Sequence, residues 1–224
     1  MSDHAAWLAE AVDKATAEVR EREREIIVRL VRAAEFRDPE TGSHIQRMAA
    51  YSRLIAERLG LPLAEQEIIL AAAPMHDVGK LGTPDHILLK PGKLTPEEFE
   101  IMKEHARKGY EILADSNSRM LQVAAIIALS HHEKFDGSGY PGGLRGEDIP
   151  LYGRIVAVAD VFDALTSARP YKPAWTLERA VEFMQDNRDK HFDPACLDAF
   201  LGAWDDVLAI RERYADDPAD MGEV

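Results

Sequence analysis

A single cysteine, Cys196, excludes an internal disulfide. It lies between Pro194 and Leu197 in a stretch that reads as helix, so a buried thiol is expected rather than a reactive one. Basic residues are also scarce. There are 27 Lys and Arg against 40 Asp and Glu, a formal net charge of −13. That deficit argues against a general nucleic-acid surface and against an anionic membrane partner. A small anionic ligand stays compatible, because bound divalent cations reverse the local field. No apolar run reaches the length that crosses a bilayer, and the N-terminus carries acids instead of a basic segment followed by an apolar one. A cytoplasmic protein is expected. The alternating apolar and polar pattern of strands is missing, as is any repeat at solenoid periods.

What remains is helix. Residues 4–35 place Leu8, Val12, Ala15, Val19, Ile26, Leu30 and Ala33 at spacings of three and four, with Arg22 interrupting the stripe. So narrow a strip on so charged a segment resembles a coiled-coil seam; its first half reads equally as a dimerising or signal-transmitting helix or as a solvated helix packed along its own domain, and core packing is expected from Ile26 onward. Pro39 and Gly42 predict a turn, with Thr41 or Ser43 capping a helix that runs to about Leu59 and stops at Gly60-Leu61-Pro62. The next helix begins near Leu63, and Pro74 should kink it just before His76. Residues 79–96, with Gly79, Gly82, Gly92, Pro84, Pro91 and Pro96, read as a loop long enough to signal function. Thr95-Pro96-Glu97-Glu98 is a helix start with its cap, its proline at the first position and its acids; that helix should reach about Leu113. Further helices are expected over 119–132, 151–167, 176–188 and 194–213, with a loop over 133–150 and an acidic tail from Ala215. The fold class is all-α, a helical bundle with a long N-terminal helix.

Chemistry is concentrated in His76-Asp77-Val78-Gly79-Lys80. Five of the eight histidines (His44, His76, His105, His131 and His132) sit where they can join one site. The pairs His76-Asp77 and His131-His132 each end an apolar run, and burying such groups unmatched is costly. Metal coordination satisfies them, and imidazole with carboxylate suits zinc, iron, manganese or nickel. With Glu40 and Asp160, the candidate ligands exceed what one ion needs, so two or three ions are expected. Asp77 can bridge two of them and so help to make water a nucleophile near neutral pH. Asp163, three residues from Asp160, is read as a supporting carboxylate rather than a ligand. Gly137, Gly139, Gly142 and Gly143 allow tight turns and close approach of backbone. Glu133 and Asp136 receive no direct role, and His4, His86 and His191 fall outside the set.

HDVGK at 76–80, ILLKPGKLTPEEFEIMKEH at 87–105, HHEKFDGSGYPGG at 131–143 and ADVFDALTSARPYK at 159–172 closely resemble the HD-GYP subgroup of the HD-domain metal-dependent phosphohydrolases. The name-giving tripeptide is Gly139-Tyr140-Pro141, and the resemblance covers about residues 35–200. It implies an HD-domain bundle that hydrolyses cyclic di-GMP to the linear dinucleotide, and in some members on to GMP. It implies metal ligands at His44, His76, Asp77, His105, His131, His132 and Asp160, with iron or manganese foremost. Glu40, one helical turn before His44, resembles the subset that holds three ions. Lys80, Tyr140, Arg169 and Lys172 match positions that face the substrate. Arg169 and Lys172 suit the phosphate that is not cut, Tyr140 suits a guanine or a phosphate, and Lys80 suits protonation of the leaving oxygen as a catalytic partner of Asp77.

The resemblance also leaves two other functions open: a binding module for a cyclic dinucleotide or a protein without hydrolysis, and a hydrolase of a different cyclic dinucleotide. Residues 1–34 are expected as a helical extension that dimerises, 35–214 as the phosphohydrolase domain and 215–224 as the tail. Family members are often joined to a sensory or receiver domain, and a GGDEF-type protein is a possible partner. Neither a nucleic acid polymer nor a membrane is expected.

Overall fold

The computed structural model describes residues 2–35, 42–168 and 173–215. Those residues form ten α-helices and no strand ladder, so the all-α reading holds. The helices are α1 (Ser2–Glu35), α2 (Gly42–Arg58), α3 (Leu63–Ala72), α4 (Asp85–Leu88), α5 (Pro96–Leu113), α6 (Arg119–Ser130), α7 (Leu151–Thr166), α8 (Leu177–Asp186), α9 (Pro194–Leu201) and α10 (Trp204–Arg213). Among the described residues, no helix is long and apolar enough to cross a membrane.

The centre is a bundle in which α2 lies against α3 and α7, and α6 lies against α3, α5 and α7. Aromatic residues lock it from the C-terminal side. Tyr51, Phe162 and Phe200 are fully buried, and their rings meet edge to face with centroids 4.9–5.6 Å apart. Cys196 is buried in α9, where burial, and then the charge of Asp193, push its thiol well above the usual range. The expected inert thiol is what the fold contains.

Four local readings need correction. The 79–96 segment is not plain loop: Val78–Gly82 forms a 3-10 turn and Asp85–Leu88 a short helix. Pro74 acts as foreseen, but through a 3-10 turn at Ala73–Met75 rather than a bend within α3. The 194–213 helix is two helices, broken at Gly202 and Ala203. The N-cap proposed at Ser43 falls inside α2, which begins at Gly42; the alternative, Thr41, lies outside the described residues, as does the turn over 37–41.

In helix α1, Trp7, Leu8, Val12 and Val19 are exposed, whereas Ile27 and Val31 are buried and the helix touches both 3-10 turns that flank His76-Asp77. The side chains of Ile26, Leu30 and Ala33 lie outside the described ones.

Helix α5 carries one of the ligand candidates and starts on a full capping box. Glu98 N–H donates to Thr95 Oγ1 at 3.3 Å, and Thr95 N–H donates back to Glu98 Oε2 at 2.7 Å. Lys90 Nζ adds a 2.6 Å contact to the same carboxylate oxygen. Thr95→Ala is expected to cost about 1 kcal/mol, read as a fall of roughly 2–4 °C in melting temperature.

Candidate metal centre

Five segments bring their side chains to one end of the bundle. His44 comes from the first turn of α2, and His76 and Asp77 from the link between the two 3-10 turns. His105 comes from α5, His131 and His132 from the end of α6, and Asp160 from α7. They form two groups, each with one ligand atom per residue within 4.8 Å of the others: Asp77, His105, His131 and His132 in one, His44, His76 and Asp160 in the other. Seven of the eight proposed ligands are therefore gathered. The eighth, Glu40, lies outside the described residues, as do Arg169 and Lys172.

Asp77 stands where the groups meet. Its Oδ1 is 3.2 Å from His105 Nε2 and 3.5 Å from His131 Nε2. Its Oδ2 is 3.2 Å from His76 Nε2, in the other group, and 2.7 Å from Lys80 Nζ. Burial opposes ionisation of this carboxyl. The Lys80 ammonium first, then His76 and the contacts of His105 and His131, outweigh burial and hold it well below the usual carboxylate range. In the second group, Asp160 Oδ1 is 3.7 Å from His44 Nε2 and 4.0 Å from His76 Nε2.

The rings are oriented through their other nitrogen. His76 Nδ1 lies 3.1 Å from the carbonyl of Ala73, and His105 Nδ1 2.7 Å from that of Met102. His131 Nδ1 lies 3.1 Å from the carbonyls of both Ile127 and Ala128. A carbonyl accepts only, so each Nδ1 carries a proton and each Nε2 is the nitrogen turned to the site. Burial holds His131 below the ordinary histidine range against the pull of Asp77, and burial and then His131 hold His132 well below it. Both imidazoles are neutral at pH 7, which is the form that binds metal.

An ion fits this donor set. Nε2 of His105, Nε2 of His131 and Oδ1 of Asp77 are buried atoms that approach one another without the alignment of a hydrogen bond. Orphaned polar atoms of this kind are costly unless something else meets them. The two clusters suggest metal binding, and imidazole with carboxylate is chemistry for a divalent transition metal.

Tyr140 closes one side. Its ring is tilted on His132 with centroids 4.7 Å apart and meets His105 and Phe99 edge-on at 6.4 and 6.2 Å. Burial and then the charge of Asp77 push its hydroxyl above the usual phenol range, so it stays a donor. Lys103 Nζ stands 5.1 Å from the Phe99 ring centre and 5.6 Å from that of Tyr140.

The loop that presents Tyr140 is held by a residue given no role from sequence. Glu133 is buried, and its Oε1 and Oε2 accept the N–H groups of Gly142 at 2.6 Å and Leu144 at 3.0 Å. The loop lies directly on the strand of backbone after His132. A Cβ at Gly139 would stand 2.3 Å from Lys134 N, so only glycine permits that approach. Gly137 and Gly143 adopt positive φ, as their proposed turning role requires. Glu133→Gln leaves one loop N–H facing an amide NH2, at a cost of about 1–3 kcal/mol. Faster hydrogen exchange at Gly142 and Leu144 is the expected sign; unchanged protection would remove Glu133 from this role.

Asp163 lies behind a ligand candidate: its Oδ2 is 2.8 Å from His44 Nδ1. Arg47, which grips Asp163, was missed, although its place one turn after His44 on the same helix was a usable signal.

The family model described as HD domain matches residues 30–196. The chain belongs to the HD-domain family. With Gly139-Tyr140-Pro141 beside the histidine pair, this HD domain falls in the HD-GYP subgroup that its motifs resemble. It is 58% identical over 184 residues to the cyclic di-GMP phosphodiesterase response regulator RpfG of Xanthomonas campestris pv. campestris, covering 82% of this chain and 49% of that protein. It is 47% identical over 199 residues to the 3'3'-cGAMP-specific phosphodiesterase 2 of Vibrio cholerae, covering 89% of this chain and 38% of that one. The chain thus spans half or less of these relatives' length. Among solved structures, a cyclic GMP-AMP specific phosphodiesterase of V. cholerae, V-cGAP3, matches with a TM-score of 0.63 at 18% identity, over 88% of this chain and 52% of that one. At that identity the likeness shows the fold alone.

Proposed function

We propose that this HD domain is a metal-dependent phosphodiesterase that opens cyclic di-GMP to the linear dinucleotide, with GMP as a further product. The observation that carries the reading is Asp77, whose two oxygens face the two clusters. The 58% identity to a protein named a cyclic di-GMP phosphodiesterase supports the substrate.

His44, His76, Asp77, His105, His131, His132 and Asp160 would hold two divalent ions, iron or manganese, and Glu40 a third. Such ions supply acidified water and neutralise charge on the phosphoryl oxygens of the transition state. The protein's own groups do the rest. The neutral imidazoles of His131 and His132 and the ionised Asp77 keep their lone pairs ready at pH 7. Lys80, whose Nζ lies 2.7 Å from Asp77 Oδ2, would give a proton to the leaving ribose oxygen. The Tyr140 hydroxyl donates to a phosphate or its ring receives a guanine. Arg169 and Lys172 anchor the phosphate that is not cut, Arg169 through its fork.

The test is purification with iron or manganese, incubation with cyclic di-GMP and chromatography of the products beside a control enzyme. Intact substrate where the control cleaves it sinks the reading; calorimetric binding without turnover would then point to a signalling module that only recognises the dinucleotide. A second substrate reading has its own support in the 47% identity to a 3'3'-cGAMP-specific enzyme. Running the mixed GMP–AMP ring alongside, and comparing kcat/KM, decides between them.

The exposed Trp7, Leu8, Val12 and Val19 support a parallel homodimer through residues 8–33, with residues 35–214 as the catalytic unit. A monomer in light scattering at high concentration would count against it. The Xanthomonas relative is named a response regulator, which supports a sensory or receiver domain as the source of control; a GGDEF-type partner and a cytoplasmic location belong to the same proposal.

A further inference from the structure

Three of the clustered histidines take their Nδ1 partner from the carbonyls of their own turn, at His76, His105 and His131. His44 Nδ1 lies 2.8 Å from Asp163 Oδ2, a side chain on a different helix. Whatever fixes Asp163 therefore bears on the direction of the His44 ring.

What fixes it is Arg47. Arg47 Nε donates to Asp163 Oδ1 at 2.6 Å and Nη2 to Oδ2 at 3.1 Å, the two-point grip that sets the plane of a carboxylate. Ser167 Oγ adds a 3.1 Å bond to Oδ2. Asp163 is fully buried and Arg47 only 3% exposed, so neither has water as a substitute partner. Burial opposes the charge on Asp163, and the bonds from His44 and Arg47 overcome it and keep the carboxyl below its usual range. Arg47 is itself braced. Nη1 donates to the Tyr214 carbonyl at 2.8 Å, just past α10, and Nη2 to Ser167 Oγ at 2.8 Å, just past α7.

We propose that Arg47 is a positioning residue which, through Asp163, aims His44 Nε2 and so sets the ion affinity of the His44–His76–Asp160 cluster, and not of the Asp77–His105–His131–His132 cluster. Arg47 bonds Asp163, Ser167 and the Tyr214 carbonyl, and none of these three residues is a ligand candidate of either cluster. It acts by holding the carboxylate that accepts the His44 Nδ1 proton, and it makes the ends of α7 and α10 part of the same brace. The proposal rests on the reading of both clusters as ion sites.

The experiment is calorimetric titration of metal-free protein with Mn2+, elemental analysis of ions retained, and thermal melting. Arg47→Lys keeps the charge but loses the fork. A second variant, Arg47→Met with Asp163→Leu, replaces the buried pair by apolar groups of similar size, an exchange that is often neutral for stability. Both are expected to keep the tighter ions at wild-type affinity and to weaken one ion by about 10–100-fold, the usual loss when a ligand's supporting partner is removed. Wild-type affinity for every ion in either folded variant would overturn the proposal. So would equal weakening of all ions, which marks a general structural role. If Arg47→Lys does not fold, the double variant decides on the same criteria. A wild-type protein that takes no ion would instead fail the metal reading itself, so the two failures are told apart.

Discussion

Asp77→Asn is expected to strip ions from both clusters and to lower the proposed turnover of cyclic di-GMP by a factor of about 10³ or more, well beyond the ~10–100-fold loss typical of a supporting partner. The reason is position. Oδ1 faces His105 and His131, and Oδ2 faces His76 and Lys80, so a single carboxylate serves both donor groups. An asparagine of the same shape keeps one acceptor and turns the other oxygen into an NH2. That NH2 would point either at imidazole lone pairs that need a cation or at the Lys80 ammonium, which is already a donor. The bland alternative is that Asp77 only pairs with Lys80, three residues on. An ion pair with both side chains about one-fifth exposed contributes on the order of 1 kcal/mol. On that view Lys80→Met would match Asp77→Asn in stability, and ion content would not change in either. Elemental analysis and product chromatography on the two variants separate the views: ions retained at the wild-type level in Asp77→Asn would remove the bridging role.

The histidine and carboxylate pairs were legible in the sequence because their cost is local: two ionisable groups at the end of an apolar run need a reason wherever they fold. The Thr95–Glu98 box was legible for the same reason, since both bonds close within one turn. Asp163 could be placed behind the ligands from its spacing to Asp160. Glu133 was not legible, and Arg47 offered only its place one turn after His44, because their bonds join residues up to 11 and 116 positions away. Neither distance leaves a periodic trace. The break in the last predicted helix is a different case. Gly202 follows the apolar end of α9, and Asp205 and Asp206 open α10, so stop and start signals were both present but were outweighed by the continuing apolar spacing. The turn at Val78–Gly82 was missed because its two glycines were read as loop formers, whereas Gly79 is there for contact.

Gly79→Ala follows from that contact. A Cβ at Gly79 would stand 1.9 Å from the His105 carbonyl oxygen, 2.4 Å from Gly109 N and 2.9 Å from His105 C. All three are backbone atoms of α5, and none can turn aside as a side chain would. Relief requires the Val78–Gly82 turn and α5 to separate, which costs roughly 3 kcal/mol or more and lowers the melting temperature by roughly 10 °C. The same separation carries Asp77 and Lys80, two residues before Gly79 and one after it, away from His105. A folded Gly79→Ala protein should therefore also lose ions, although no ligand has been changed. Gly82→Ala is the control within the same turn. Its nearest neighbour would be Lys108 Cδ at 2.8 Å, part of a flexible and half-exposed side chain that can move. Near-normal melting for Gly82→Ala beside a large loss for Gly79→Ala supports backbone contact as the cause. Equal, small effects at both positions would mean that the turn does not rest on α5, and that the site is not braced in this way.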